Sequence, residues 1–162
     1  MLIRLHVAER GEMPTREQVV AKAREYLKTP FCHQGRIKDQ ALDCVGLLLC
    51  VGEELGLQDK EGRPVFGSDH LDYPPKPAGN LVPDNCKRRL VEKNISDMKA
   101  GDIVLLRLAR DPCHVGIISS IEGVLHFIHV FAGGDAECVE QIMSSSWRDR
   151  IAAVYSIPGL ED

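Results

Sequence analysis

The hydrophobic positions of the chain follow a helical period in its first third and a strand period in its last third. Apolar residues recur on one helical face over 15–27, and Thr15 and Gln18 have the spacing of a capping box. The segment 43–55 is apolar around most of its circumference, as a buried helix is, and Gly56 suits its C-terminal end. The pattern therefore predicts two helices, the second in the core.

After residue 102 the apolar period shortens to that of strands. Asp-Pro, Glu-Gly, Gly-Gly and serine-rich turn signals separate the apolar runs. The predicted strands are 103–108, 114–119, 124–131, 137–142 and 152–157. Helices followed by sequential strands predict an α+β fold, with N-terminal helices on one side of a mostly antiparallel sheet of about five to six strands.

Residues 56–100 between these parts are broken by five prolines and contain no repeat or low-complexity linker. A short helix is predicted over 84–92. We interpret the segment as a long excursion over the surface of one domain, because 1–162 is a suitable length for a single core.

Composition excludes several classes of protein. The 20 basic and 24 acidic residues give a net charge of -4, without the basic excess of a nucleic-acid-binding protein. No apolar run approaches the ~18 residues of a membrane span. Met1–Val7 is interrupted by Arg4 and His6, so no secretory signal is predicted and synthesis in the cytoplasm is expected. The six cysteines form no Cys-x-x-Cys pair, which predicts free thiols.

Cys44 is the candidate nucleophile. It follows Asp43, a good N-cap residue, and would lie in the first turn of the second helix. The positive end of the helix dipole lowers the pKa of a thiol, so Cys44 is expected to be the fastest-alkylating cysteine. The alternative is a buried structural cysteine, which is the interpretation that fits Cys50 in the middle of the same helix.

A thiol nucleophile requires a base, and His114 at the start of a strand is the candidate. Gly116 shares its sheet face, and the missing side chain there would let the Cys44 helix approach. The alternative is a histidine bonded to solvent at a strand edge. His126 and His129 on the next strand face opposite sides, so one of them can orient His114, and strand parity alone does not choose between them.

Other chemistries fit the sequence less well. Cys113, His114, His126 and His129 are residue types that bind zinc, but neighbours on a strand point to opposite faces. Phosphate-binding glycine loops and a Gly-x-Ser-x-Gly elbow are absent from the sequence. A zinc site is therefore disfavoured by the spacing.

Five motifs occur in order along the chain. They are Thr29-Pro30-Phe31-Cys32-His33-Gln34-Gly35, Leu42-Asp43-Cys44-Val45-Gly46-Leu47, Lys99-Ala100-Gly101-Asp102-Ile103-Val104, His114-Val115-Gly116-Ile117 and Ile128-His129-Val130. With the helix before them, they resemble the NlpC/P60 family of papain-like cysteine peptidases, in particular its phage-associated branch. The resemblance implies a papain-like fold and hydrolysis of amide bonds in peptidoglycan stem peptides. It implies no metal or organic cofactor.

The resemblance also implies roles for individual residues. Cys44 would be the nucleophile, His114 the base and His129 the third polar residue, with His126 outside the site. The implied substrate-binding residues are Phe31, His33, Asp43 and Val45. Two of them depart from the family pattern, because Phe31 stands where tyrosine is usual and Val45 where serine is usual; His33 or Gln34 could replace the lost donor.

Three further expectations depend on the resemblance. The partners would be stem peptides and phage tail proteins, with no nucleic acid and no membrane. The protein would be virion-associated and act at the bacterial cell wall. The alternatives are a tail-assembly module without activity, or an amidase or acyltransferase with the same cysteine–histidine pair.

Overall fold

A computed structural model describes residues 11–59, 61–67, 73–75, 79–134, 136–160 and 162. Met1–Val7, for which no secretory signal is expected, lies outside these residues. Parts of the segment 56–100 also lie outside them. The helices are α1 (Arg16–Arg24), α2 (Cys44–Glu54), α3 (Leu81–Arg89) and α4 (Ser145–Arg148), with a 3₁₀ turn at Ile95–Asp97. The strands are β1 (Arg36–Ile37), β2 (Ala41–Leu42), β3 (Val91–Lys93), β4 (Ile103–Arg107), β5 (Pro112–Ile121), β6 (Val124–Val130), β7 (Cys138–Ile142) and β8 (Ile151–Ser156).

Both predicted N-terminal helices form, and their first turns show why. Thr15 accepts a hydrogen bond from the backbone N–H of Gln18, whose side chain accepts one from the Thr15 N–H, so the capping box is complete. Asp43 caps α2 by accepting from the N–H of Gly46 at 2.7 Å. Gly56 follows α2 with φ +62°, as expected of a residue that ends a helix.

The main sheet has six strands in the order β3-β8-β4-β5-β6-β7, and every neighbouring pair is antiparallel. The α+β prediction is therefore confirmed. One segment differs from its prediction: the helix expected over 84–92 ends at Arg89, and Val91–Lys93 becomes β3 at the sheet edge. So short a strand has no periodicity of its own, and its pairing with β8 is a tertiary effect.

Alternation along the strands gives the sheet two apolar faces. Val115, Ile117, Ile128 and Val130 belong to a cluster that includes the apolar sides of α1, α2 and α3. The opposite face carries a second cluster of Val104, Leu106, Ile118, Phe127, Ile151 and Val154, covered by Met98, Met143 and Trp147. The strands are buried on both faces, which explains their nearly continuous apolar runs.

A buried ion cluster joins α1 to the sheet. The Asp102 carboxylate is fully buried and lies 2.7 Å from Arg16 Nη1 and 2.8 Å from Lys93 Nζ. It also accepts from the backbone N–H of Lys99. Two cations and a backbone donor offset the cost of burying the carboxylate before β4.

All six cysteines are free thiols. Among the described residues, no helix has the length and apolar character needed to cross a membrane.

Candidate active site

Cys44 occupies the first position of α2, directly after the Asp43 cap. The residue keeps partial solvent exposure and packs against the helix-side core cluster. Its sulfur lies beside the backbone N–H of Val115, the residue that follows His114. The fold therefore brings the candidate nucleophile to the strand that carries the candidate base.

The thiol of Cys44 is not pre-ionised in this structure. Burial raises its pKa from 9.0 to about 12, and the backbone N–H of Val115 lowers it by less than burial raises it. The sequence-based expectation of a lowered thiol pKa is therefore wrong for the unliganded protein. The cost of placing a charge in the crowded site exceeds the favourable field of the helix N-terminus.

His114 and His129 form a directly bonded pair. The Nε2 atom of His114 lies 2.7 Å from the Nδ1 atom of His129, and both side chains are buried. The two strands are paired so that Ile117 faces Ile128, which places both histidines on the same sheet face. That face is the one with Leu106 and Phe127, opposite the face on which α2 packs, whereas Val115 faces α2. His129, as the resemblance implied, is the histidine within reach of His114.

Both imidazoles are neutral at physiological pH. The pKa of His114 is lowered from 6.5 to about 3. Burial is the larger cause, and charge repulsion from His129 is the smaller one. Burial also lowers the pKa of His129 to about 4, against a hydrogen bond to Gln141 that favours the charged form. A neutral His114 is available to accept a proton, as a general base must be.

An aromatic shell holds the two rings in place. Phe127 stacks on His129 with centroids 4.2 Å apart, and Trp147 contacts the same ring edge-on at 5.4 Å. The ring centroid of Phe131 lies 5.9 Å from that of His114. Gly116 makes room for this shell, because a Cβ there would lie 3.1 Å from the Phe127 ring and 3.3 Å from His129 Cβ. The expectation that Gly116 admits the Cys44 helix is therefore corrected: its missing side chain admits Phe127 and His129.

His126 and Cys113 lie outside this histidine pair. His126 bonds to the Val124 carbonyl at 2.9 Å and is partly exposed. Cys113 falls where the register between β4 and β5 shifts, and it lies near enough to Cys44 to contribute to the raised pKa of that thiol. Within the described part of the chain, no group of three or more His, Cys, Asp or Glu is placed to hold a metal ion.

Asp43 anchors the loop before α2. Its two carboxylate oxygens accept from the N–H groups of Gly46 and Gln34 at 2.7 and 2.8 Å, from Arg36 Nη1 at 2.9 Å, and from the hydroxyl of Tyr73. Arg36 also donates to the Tyr73 hydroxyl at 2.7 Å. These bonds occupy the carboxylate, so Asp43 shapes the site around Cys44 instead of presenting a free acceptor.

The other implied substrate-binding residues surround this anchor. His33 Nε2 lies 3.0 Å from the Tyr73 carbonyl oxygen, and its ring meets the Tyr73 ring edge-on. Phe31 is partly buried and bonds through its backbone N–H to the Ala136 carbonyl. Val45 is partly exposed in the first turn of α2.

Three polar residues near the site were missed from the sequence. Tyr73 lies in the proline-rich segment, where no periodicity indicates which side chain turns inward. Arg36 lies in the two-residue strand β1, and its contact with Asp43 depends on tertiary packing. Gln141 bonds to His129 at 2.9 Å across two paired strands; it could have been found only with the β6–β7 register in hand.

A cavity lies on another side of α2. It has a volume of about 450 Å³ and is lined by the C-terminal half of α2 and residues 64–67. Arg36 reaches it, whereas Cys44 and His114 do not line it. The candidate chemistry is thus at the N-terminus of α2, and the cavity is at the other end of the helix.

Comparison with known proteins finds the fold among solved structures. An NlpC/P60 family protein from Bacillus cereus has a TM-score of 0.62 and 14% identity over 90% of this chain and 41% of that protein. The NlpC/p60 domain of the peptidoglycan hydrolase SagA has a TM-score of 0.54 and 21% identity over 88% of this chain and 98% of the domain. An N-acetylmuramoyl-L-alanine amidase from Bacteroides uniformis has a TM-score of 0.52 and 13% identity over 86% of this chain and 96% of that protein.

No protein-family model and no curated protein sequence matches the chain. The chain spans less than half the length of the Bacillus cereus protein, at 41%. At these identities the structural matches show the fold, which is the papain-like α+β fold of NlpC/P60 proteins.

Proposed function

We propose that this protein is a cysteine hydrolase that cleaves amide bonds in peptidoglycan stem peptides. Two observations support the proposal: the bonded pair of His114 and His129, and the position of Cys44 at the start of α2, beside the backbone N–H of Val115 next to His114 in the chain. The NlpC/P60 fold and the motif resemblance support it. The solved structures of similar fold include a peptidoglycan hydrolase and a cell-wall amidase, which supports this substrate class.

In the proposed reaction, the first step is coupled to proton transfer. Nε2 of His114 is engaged with His129, so Nδ1 is the nitrogen available to Cys44. The proton passes from Sγ to Nδ1 as sulfur forms a bond to the scissile carbonyl carbon. A thiolate or an imidazolium alone is disfavoured by burial, whereas the pair formed by transfer carries no net charge. Among the described contacts, no hydrogen bond joins the Cys44 sulfur to His114, and the His114 ring lies on the sheet face opposite α2. The proposed transfer therefore requires the His114 ring or the start of α2 to move when substrate binds.

The later steps use the same groups. The oxyanion is met by the N–H of Cys44 at the start of α2, a kind of donor typically worth ~3–4 kcal/mol of barrier. His114 then protonates the leaving amine as the carbon–nitrogen bond breaks, which leaves an acyl-enzyme. Water, deprotonated by His114, hydrolyses the thioester and releases the acid. His129 holds His114 in orientation throughout.

The finer assignments are parts of the same proposal. The resemblance to the phage-associated branch supports a tail-associated protein that acts at the bacterial wall, with tail proteins as partners. Endopeptidase action within the stem peptide is the main proposal, and amidase action is the alternative that the Bacteroides uniformis structure suggests. A structural tail module is the alternative favoured by the raised pKa of Cys44.

Purified stem peptides and muropeptides test the reaction. Cys44→Ala should abolish cleavage, because no other group forms the acyl-enzyme, and His114→Ala should lower the rate by about 10² or more. His129→Ala should cost less, since water can partly replace an orienting residue. Mass spectrometry of the products identifies the bond and separates endopeptidase from amidase action.

The exposed thiol of Cys32 provides the matched control. Cys32→Ala should cleave like wild type if the chemistry belongs to Cys44. Loss of cleavage in Cys32→Ala, or cleavage retained in Cys44→Ala, would contradict the proposed nucleophile.

Phe31→Tyr tests the departure at that position. If a hydroxyl there assists the oxyanion or the substrate, the variant should keep or raise the wild-type rate, measured on the same peptides. Suppose both proteins stay folded, by circular dichroism, and neither cleaves any member of a broad panel. The peptidase proposal would then be abandoned for the structural tail module.

A further inference from the structure

Gln141 is the one polar side chain described as bonding to the far side of the histidine pair. It lies on β7, where it is paired with Phe127 of β6. Its Oε1 atom is 2.9 Å from Nε2 of His129, and Nδ1 of the same ring is 2.7 Å from Nε2 of His114. The three residues form a continuous hydrogen-bonded chain that ends at Nδ1 of His114.

The chemistry of an amide oxygen sets the direction of this chain. Oε1 can only accept, so Nε2 of His129 must carry the proton. A neutral imidazole has one N–H, and Nδ1 of His129 is therefore an acceptor. His114 must then donate from Nε2, which leaves its Nδ1 without a proton. Nδ1 is the atom that the proposed reaction uses as the base.

The aromatic shell does not set this direction. Phe127 stacks on His129 and Trp147 meets it edge-on, which fixes the plane of the ring. Apolar faces interact almost equally with either tautomer, because both have the same shape and charge. A polar partner at one nitrogen is needed to distinguish them.

We propose that Gln141 is a positioning residue that selects the Nε2–H tautomer of His129 and, through it, the Nε2–H tautomer of His114. The proposal rests on the function proposed above for its catalytic meaning. The tautomers themselves are properties of the folded protein and can be measured without any substrate.

Long-range ¹H–¹⁵N correlation spectra of the histidine rings give the direct test. In wild type, His114 and His129 should both show the Nε2–H pattern. Gln141→Leu keeps the size of the side chain and removes the acceptor, so the His129 signals should shift toward the Nδ1–H form or become a mixture. Gln40→Leu, at an exposed glutamine, should leave the pattern unchanged. A wild-type Nδ1–H tautomer at His114, or an unchanged pattern in Gln141→Leu, would overturn the proposal.

Gln141→Glu separates positioning from simple packing. A carboxylate remains an acceptor, so the tautomers and turnover should persist, and the acid limb of the pH–rate profile should move to higher pH because the negative charge favours protonated His129. Gln141→Leu should lower kcat by about 10-fold or more with little change in KM. A purely structural role would lower the folded fraction of both variants and leave the pH profile of the remainder unmoved.

An inactive wild type would not remove the test. The ring tautomers then serve as the readout by themselves, and they should change in Gln141→Leu and persist in Gln141→Glu. Tautomers as proposed in a protein that cleaves nothing would refute the peptidase function and uphold the tautomer chain. Wrong tautomers in an active enzyme would do the reverse.

Discussion

At the scale of single residues, burial is the main determinant of the chemistry of Cys44 and His114. It raises the pKa of the thiol to about 12 and lowers the pKa of the imidazole to about 3. Both shifts favour uncharged groups, so the resting site holds a thiol and a neutral base. In the proposed reaction, the charged pair forms only when a proton moves between them, and activation of the nucleophile then depends on the presence of substrate.

This resting state changes the expected order of alkylation. In the unliganded protein near pH 7, iodoacetamide should modify the exposed Cys32 faster than Cys44, because the Cys44 pKa is raised and its sulfur is less accessible. Peptide mass spectrometry over time measures both rates in one sample. If Cys44 is instead the fastest thiol at pH 6, its thiolate exists without substrate. The helix dipole then lowers the pKa of Cys44, as the sequence predicts.

At the scale of elements, the position of Cys44 depends on a close approach between α2 and the preceding loop. A Cβ at Gly46 would lie 2.2 Å from the carbonyl oxygen of Gly35, a backbone atom that cannot easily move. The N–H of Gly46 is also the donor that Asp43 caps. Only glycine allows the first turn of α2 to lie against residue 35 while it keeps its cap.

Gly46→Ala should therefore reduce the free energy of unfolding by roughly 1–3 kcal/mol, as overpacking does, and displace Cys44. Gly52→Ala in the same helix is the matched control, because its Cβ would meet the side chain of Phe66, which has more freedom to shift. Both changes add the same helix propensity, so their difference reports the backbone clash. Urea unfolding of the two variants measures this difference in the free energy of unfolding. Equal values would show that the loop around Gly35 shifts to relieve the clash.

At the scale of the whole molecule, the buried histidines make stability depend on pH. His114 and His129 have pKa values of about 3 and 4 in the fold, below the ordinary 6.5. Between the folded pKa values and 6.5, the unfolded chain binds more protons than the native protein. The free energy of unfolding must therefore fall as the pH falls through this range. The neutral pair contributes in full above about pH 6.5, and its contribution is lost progressively toward pH 4 and below.

We expect the free energy of unfolding to drop by a few kcal/mol between pH 7 and pH 4.5 on account of this pair. Denaturant titrations at several pH values measure the slope. The double variant His114→Gln/His129→Gln should have a shallower slope, and His126→Gln, at a partly exposed histidine, should keep the wild-type slope. Equal slopes in the wild type and the double variant would mean that other groups govern acid unfolding.

Local signals in the sequence were sufficient for the architecture. The capping box at Thr15, the Asp43 cap and the apolar periods predict α1, α2 and the five longer strands, because these signals arise from neighbours a few residues apart. The motif resemblance likewise indicated His129, not His126, as the histidine that meets His114. The roles of Cys44, His114 and His129 stay predictions.

The tertiary structure decided the rest, because it depends on contacts between distant residues. Strand parity left His126 and His129 equivalent until the pairing of β5 with β6 set the register. Gln141 and Tyr73 approach the site across strands and loops, where no local pattern records the contact. The charge state of the site was also beyond the sequence: the helix position of Cys44 predicts a lowered pKa, and only the packing around the thiol shows that desolvation outweighs the dipole.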